Sequence, residues 1–143
     1  MRFDYFGVTQ RAKRKYAQVL QPVCEQWGIT RNELDVLLFL HNNPEYDRAA
    51  DIVVHRGMTK SHVSVSVAGL QSRGFLQGRT DPEDRRTVRL QLTGTGEEIA
   101  RQGREAQTAF FTRLLEGISP EESRLWQSML ERVCDNIDRM DPV

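Results

Sequence analysis

Two adjacent arginines, Arg85 and Arg86, directly follow the polar segment 81–84 in the middle of the chain. A guanidinium group stays charged at all physiological pH values and binds phosphates or enters the electronegative minor groove of DNA. Pro82 presets one backbone φ angle, and the flanking acidic residues favour a tight turn. These residues predict a hairpin tip that presents two cations to an anionic partner.

A second candidate surface lies on the helix predicted over residues 58–73. At about 100° per residue, Val63, Val67 and Leu70 fall within one arc and are expected to face the core. The opposite side carries no carboxylate: it consists of Ser61, Val65, Ala68 and Ser72, flanked by Lys60, His62, Ser64 and Gln71. Small, uncharged or basic side chains allow close approach to phosphates. The alternative is an ordinary solvent-exposed face, although such faces usually mix both signs of charge.

The charge distribution agrees with an anionic partner for the middle of the chain. The 20 Lys and Arg balance the 20 Asp and Glu overall. Residues 1–47 carry six of each, residues 48–89 carry eight basic against four acidic, and residues 90–143 carry six against ten, so the three segments sum to 0, +4 and −4. A basic centre of this size is also compatible with a solvated surface.

Helix signals bracket these two surfaces. Residues from about 3 to 26 have helical apolar spacing, and Thr30 with Glu33 forms a capping box before a leucine-rich helix that ends at Asn42-Asn43-Pro44. Asp47 is expected to cap a short third helix that closes at Gly57. Thr59 is expected to cap the fourth helix, which ends at Gly74.

After Gly74 the apolar period changes from helical to alternating. Segments 75–78 and 87–92 are predicted to form the two strands of the hairpin. Thr93 then caps a long helix, and Ser119-Pro120 with Glu122 begins the last one. The last helix carries one narrow apolar stripe: Leu125, Met129, Val133, Ile137 and Met140, with Trp126 beside it.

A short helix, a glycine-containing turn, a second helix and a hairpin together predict a winged helix-turn-helix. The fold class is mainly α with a small β-hairpin wing. The major groove of DNA is about 12 Å wide and admits one helix, while a hairpin tip reaches the neighbouring minor groove.

Other classes of protein have little support. A chain of 143 residues indicates one domain without a transmembrane run or a secretory signal, and two cysteines do not make a disulfide framework, so the cytoplasm is the expected location. No catalytic motif or zinc spacing occurs, so we expect no enzyme, metal or cofactor. Cys24 lacks a neighbouring cation in sequence and is interpreted as a packed thiol, and Cys134 as filling a core or a subunit interface.

The wing segment resembles that of the MarR family of bacterial transcriptional regulators. The family pattern Asp-x-x-Asp-x-Arg, followed by a strand and Leu-Thr-x-x-Gly, matches Asp81, Asp84, Arg86, Leu92, Thr93 and Gly96. The order and length of the flanking helices also fit. The resemblance implies one domain over 1–143, with dimerisation helices at 1–29 and 95–143 and a DNA-binding lobe at 30–94.

The resemblance also implies roles for single residues. Arg86 would enter the minor groove, Asp84 would hold its loop, and Arg85 would contact phosphate or probe the groove. Ser61, His62 and Val65 would face the bases, with Lys60 and Ser64 near the backbone. Because members often have a long polar side chain at the position of Val65, we expect this chain to rely on wing contacts and DNA shape.

The terminal helices resemble the family's dimerisation region, which implies a homodimer joined through Leu125, Met129, Val133 and Ile137. The alternative for this stripe is packing within its own subunit. Family members often bind a small aromatic or phenolic effector, for which Tyr16, Trp27, Phe39 and Phe110 are candidates; all four are equally explained as core. The expected function is a ligand-responsive repressor that binds a pseudo-palindromic operator. The alternative is a winged-helix module that binds a protein partner and not DNA.

Overall fold

The structure is a computed structural model that describes residues 4–140, so the predicted helix start near residue 3 lies outside the described residues. Within that range, helices and one antiparallel hairpin confirm the predicted mainly α fold. The elements are α1 (Tyr5–Trp27), α2 (Arg31–Asn42), α3 (Ala49–Asp51), α4 (Lys60–Ser72), β1 (Leu76–Thr80), β2 (Val88–Leu92), α5 (Gly94–Leu114) and α6 (Pro120–Asp138). Helix α3 continues directly into a π-helical turn, Ile52–Arg56.

Side-chain caps start most of the helices at the residues that the sequence indicated. The Thr30 hydroxyl accepts a hydrogen bond from the Glu33 N–H at 3.1 Å, and the Glu33 carboxylate accepts one from the Thr30 N–H. Ser119 and Glu122 form the same reciprocal pair before α6. The Thr59 hydroxyl accepts from the His62 N–H at 3.2 Å. These caps satisfy amide groups that have no partner inside the helix.

The predicted cap of the third helix is wrong by one residue. Arg48, not Asp47, precedes α3, and the Asp51 carboxylate accepts hydrogen bonds from the Arg48 N–H and its guanidinium at 3.1–3.2 Å. The Asp47 carbonyl instead accepts from the Leu90 N–H at 2.7 Å. Residue 47 therefore bonds to β2 and does not cap the helix. A capping rule that considers only neighbouring residues cannot predict this contact with a distant strand.

The first strand of the hairpin ends two residues later than the predicted segment 75–78. β1 runs to Thr80 and pairs with β2 in a register that sets Gly78 opposite Leu90 and Arg79 opposite Arg89. Because Gly78 supplies no side chain on the inward face, the apolar signal of β1 ends at Leu76 although the backbone pairing continues. A Cβ atom at Gly78 would lie 2.9 Å from the Gln71 side chain.

The connection from the hairpin to α5 explains the Leu-Thr-x-x-Gly pattern. Thr93 donates its hydroxyl to the Gly74 carbonyl at 2.8 Å and accepts from the Gly96 N–H at 3.1 Å. The Thr93 N–H donates to the Phe75 carbonyl at 3.2 Å. A Cβ atom at position 96 would collide with that same carbonyl, so glycine is needed for the close approach of α5 to the start of the hairpin.

The chain divides into two compact units between Phe110 and Phe111. The core of the first unit is built around α2, where every residue from 33 to 40 is buried. Each surrounding helix adds a fully buried side chain: Leu20 from α1, Leu70 from α4 and Ile99 from α5. Burial on all sides explains why α2 is apolar around most of its circumference.

The second unit contains the end of α5 and all of α6. No residue of α6 is buried, and its apolar stripe is exposed to solvent. The predicted three-part division of the domain into 1–29, 30–94 and 95–143 stays a prediction. None of the helices between residues 4 and 140 is both long and apolar enough to cross a bilayer.

Candidate nucleic-acid interface

The exposed face of α4 has the composition that the helical spacing predicted. Val63 and Leu70 are buried, and Val67 packs against the core from a partly buried position. Ser66 is also buried, which the sequence did not single out. The side chains opposite them are exposed and include no carboxylate: Lys60, Ser61, His62, Ser64, Val65, Ala68, Gln71 and Ser72. Val65 is 73% exposed, as is Val54 in the π-helical turn.

An open groove runs along one edge of this face. It has a volume of about 600 Å³ and lies between α3 with its π-helical turn and α4. Alanine and valine side chains make up most of its lining, which also includes Lys60, Ser64 and Gln71. The two helices therefore present a mainly apolar groove without an aromatic or acidic side chain in its lining.

The tip of the hairpin is held in shape by Asp84. Its carboxylate accepts hydrogen bonds from the Arg86 N–H at 3.0 Å and from the Thr87 hydroxyl at 2.9 Å, and its carbonyl accepts from the Thr87 N–H at 2.9 Å. The Asp81 N–H closes the turn by donating to the Thr87 carbonyl at 2.9 Å. This arrangement leaves the side chains of Arg85 and Arg86 exposed.

Ion pairing divides the eight basic residues of segment 48–89 into two groups. Four have carboxylate partners: Arg48 pairs with Asp51, Arg56 with Asp35, Arg73 with Glu33, and Arg89 with Asp47 and Asp81. Within the part of the chain that the structure describes, the other four make no ion pair: Lys60, Arg79, Arg85 and Arg86. The free cations therefore lie at the start of α4 and on the hairpin.

Arg89 is the residue that the sequence reasoning missed. Its guanidinium donates to Asp47 at 2.7 Å and to Asp81 through two nitrogens at 3.2 Å each. The hydrogen bond and charge of Asp47, then of Asp81, raise the pKa of Arg89. The Glu83 N–H, followed by Arg89, lowers the pKa of the Asp81 carboxyl. The sequence showed only that an arginine lies on the outward side of a predicted strand. That position does not reveal which carboxylates the arginine contacts.

The four aromatic residues proposed for an effector pocket belong to three separate pairs of contacting rings. Tyr16 and Phe110 are neighbours, with ring centroids 5.2 Å apart. Trp27 donates its indole N–H to Gln102 at 2.9 Å and meets Phe75 edge to face, and Phe39 is buried beside Tyr46. None of the four lines the groove beside α4. Their role in binding an effector stays a prediction.

The cysteines and histidines have local partners or surroundings that account for them. Cys24 is buried, and that burial raises the pKa of its thiol although Arg31 acts in the opposite direction. Cys134 is exposed and does not fill the core of the described chain, and its place at a subunit interface stays a prediction. His41 bonds to Glu97 at 2.9 Å, and His55 stacks on Tyr46. Among the described residues, no three metal-ligating side chains form a cluster.

Comparison with known proteins agrees with this geometry. A sequence model of the MarR family matches residues 27–87, from the end of α1 to the end of the hairpin tip. The uncharacterized HTH-type transcriptional regulator YdgJ of Bacillus subtilis is 27% identical over 114 residues, which cover 80% of this chain and 69% of that protein.

Solved structures that share the fold include a protein–DNA complex and a ligand-regulated protein. The S. aureus MepR-DNA complex has a TM-score of 0.80 at 18% identity, with 94% of this chain and 97% of that chain covered. The structure of Bordetella bronchiseptica BpsR, described as regulated in its DNA binding by 6-hydroxynicotinic acid, has a TM-score of 0.71 at 20% identity and covers 92% and 94%.

Proposed function

We propose that this chain, which belongs to the MarR family of transcriptional regulators, binds double-stranded DNA through α4 and the hairpin. The observation that carries the proposal is the division of the basic residues. Lys60, Arg79, Arg85 and Arg86 have no carboxylate partner among the described residues, whereas the other cations of the same segment are neutralised. Unpaired cations beside a carboxylate-free helix face are what a phosphate backbone requires.

The two surfaces would have different tasks on DNA. Helix α4 would lie in the major groove, with Ser61, His62 and Val65 facing base edges and Lys60 and Ser64 facing phosphates. Arg86, shaped by Asp84, would enter the minor groove, and Arg85 would contact phosphate beside it. Val65 offers only an apolar contact, for example to a thymine methyl, so most sequence discrimination would come from the wing and from DNA shape.

We further propose that two copies join through the apolar stripe of α6. Leu125, Met129, Val133 and Ile137 are 41–60% exposed, although a stripe of this kind is normally buried. A twofold pair would present two copies of α4 to half-sites about one helical turn apart on a pseudo-palindromic operator. Binding across a promoter would exclude polymerase, which makes repression the proposed outcome.

Release of the operator by a small aromatic or phenolic effector completes the proposal. The described regulation of BpsR by 6-hydroxynicotinic acid supports this class of ligand. In this chain Tyr16 and Phe110 form a ring pair that such a ligand could join. A ligand shifts the protein toward the released state only if it binds that state more tightly, so calorimetry with and without operator would test it.

The first experiment is selection of bound genomic fragments by the purified protein, followed by mobility-shift titration on the best fragment. With six to ten phosphate contacts per dimer, affinity should fall about 10³–10⁵-fold between 50 and 200 mM salt. A flat salt response, or no enriched fragment, would contradict DNA binding and favour the alternative of a protein-binding winged helix.

A further inference from the structure

Two hydrogen bonds to Asp47 join the hairpin to the loop before α3: the backbone bond from the Leu90 N–H to the Asp47 carbonyl at 2.7 Å, and a side-chain bond from Arg89, which is the one nearer the tip. Among the described residues, the Arg89 guanidinium makes the only side-chain hydrogen bond from residues 79–89 to another part of the lobe. It reaches Asp47, which lies 42 positions away and directly precedes the Arg48 cap of α3. The same guanidinium holds Asp81, the first residue of the hairpin turn.

Core packing fixes the base of the hairpin but not its tip, where residues 82–86 are exposed. The inward side chains Leu76 and Leu90 anchor its base in the core. Beside β2, the end of α2 and the loop after it, there is an open pocket of about 280 Å³. Leu40, Pro44, Asp47, Arg79 and Arg89 are among its lining residues. The hairpin tip, beyond Leu90 and its backbone hydrogen bond to Asp47, can change its angle unless a side-chain contact restrains it.

The geometry of the Arg89 contacts suits such a restraint. An isolated surface ion pair is worth little, but a two-nitrogen contact to one carboxylate combined with a second carboxylate forms a network with defined orientation. Asp81 is mostly covered, with 17% of its side chain exposed, against 32% for Asp47 and 46% for Arg89. The two acids also neutralise Arg89 opposite Arg79, its partner in the strand register, where like charges would otherwise repel.

We propose that Arg89 is a positioning residue, which sets the angle between the hairpin tip and the helix pair α3–α4 through Asp47 and Asp81. This inference rests on the proposed DNA binding. In the proposed complex, Arg86 in the minor groove and α4 in the major groove must contact one duplex at the same time. The distance between Arg86 and α4 depends on the angle between the hairpin and the rest of the first unit. The hydrogen bonds of Arg89 to Asp47 and Asp81, the Arg89 bridge, fix this distance already in the free protein. DNA binding then does not have to fix the orientation of the hairpin.

Positioning and simple electrostatics predict opposite results for Asp47→Ala. This change removes a negative charge from the lobe, so electrostatic attraction alone would strengthen binding to DNA. Loss of the bridge would weaken it. We expect Asp47→Ala and Arg89→Met, which change the charge in opposite directions, both to weaken binding to the best selected fragment by about tenfold.

A double-mutant cycle with Arg86→Ala separates positioning from a direct phosphate contact. If the bridge acts through the hairpin tip, the loss caused by Arg86→Ala becomes smaller in the Asp47→Ala background; independent contacts would add. The matched control is Arg79→Met, which removes a charge from the same face of the hairpin and leaves all three members of the bridge in place. Its effect should add to that of Arg86→Ala and reduce the slope of log affinity against log salt by about one contact.

Unchanged or tighter DNA binding by Asp47→Ala would overturn the positioning role, and so would full additivity with Arg86→Ala. Circular dichroism reports whether each variant folds; if Asp47→Ala does not, the cycle between Arg89→Met and Arg86→Ala decides the question. Wild-type protein that enriches no fragment would instead refute the proposed function. The two failures are therefore distinguishable.

Discussion

Arg86 and Arg89 lie three positions apart on one hairpin, yet they have opposite surroundings. Arg86 is exposed, and among residues 4–140 only its backbone N–H is engaged, by Asp84. Arg89 is held by two carboxylates. A side chain without partners can exchange water for DNA without first breaking an ion pair. We expect Arg86→Ala to weaken specific DNA binding by about 1–3 kcal/mol and to leave the oligomeric state unchanged, measured by mobility shift and light scattering.

Arg104 supplies the matched control for that substitution. It is exposed on α5 and, like Arg86, has no ion pair among the described residues, but it lies outside the proposed interface. Arg104→Ala removes the same charge and should leave affinity nearly unchanged. Equal losses from both variants would show that net charge, and not insertion of the hairpin tip, governs binding.

At the scale of elements, the start of α5 depends on a close backbone approach. Gly94 and Gly96 both lie in the first turn of that helix, but an added Cβ meets nothing within 4 Å at Gly94 and collides with the Phe75 carbonyl at Gly96. We expect Gly96→Ala to lower the free energy of unfolding by about 1–3 kcal/mol, because the backbone must shift. Gly94→Ala should be neutral or stabilising by up to about 1 kcal/mol. Urea denaturation of the two variants measures the difference, and equal stabilities would contradict the packing account.

At the scale of the whole molecule, α6 presents its apolar stripe to solvent in the single chain. If that stripe joins two copies, a carboxylate in its centre has to be desolvated at the interface. We expect Met129→Glu to convert the dimer into a monomer in analytical ultracentrifugation with little loss of helical signal. DNA affinity should fall about 10²–10⁴-fold, since two half-sites are no longer bound together.

Gln127→Glu is the control for the dimer. It adds the same charge to the other side of α6. The change replaces the hydrogen bond from Gln127 to Glu131 (3.2 Å) with a like-charge pair that costs only about 0.2–0.5 kcal/mol, so the dimer should stay intact. A Met129→Glu protein that stays dimeric would place the subunit contact elsewhere.

The helix starts, the turn and the face of α4 were predictable because each depends on residues within about four positions of one another. Four helices have the caps that the sequence predicted: Thr30 with Glu33, Thr59, Thr93 and Ser119. The exposed and buried sides of α4 likewise follow from helical periodicity, with Ser66 as an addition.

Contacts between distant segments were decided only by the tertiary structure. The sequence predicted Asp47 as a helix cap. In the structure Asp47 contacts β2 and Arg89, and Arg48 occupies the capping position. The same holds for Arg73, which reaches Glu33 across 40 positions. A sequence states how many cations a segment carries. Which of them are neutralised depends on the carboxylates that folding places within a few ångströms, because the attraction between charges falls with distance in space and not with separation along the chain.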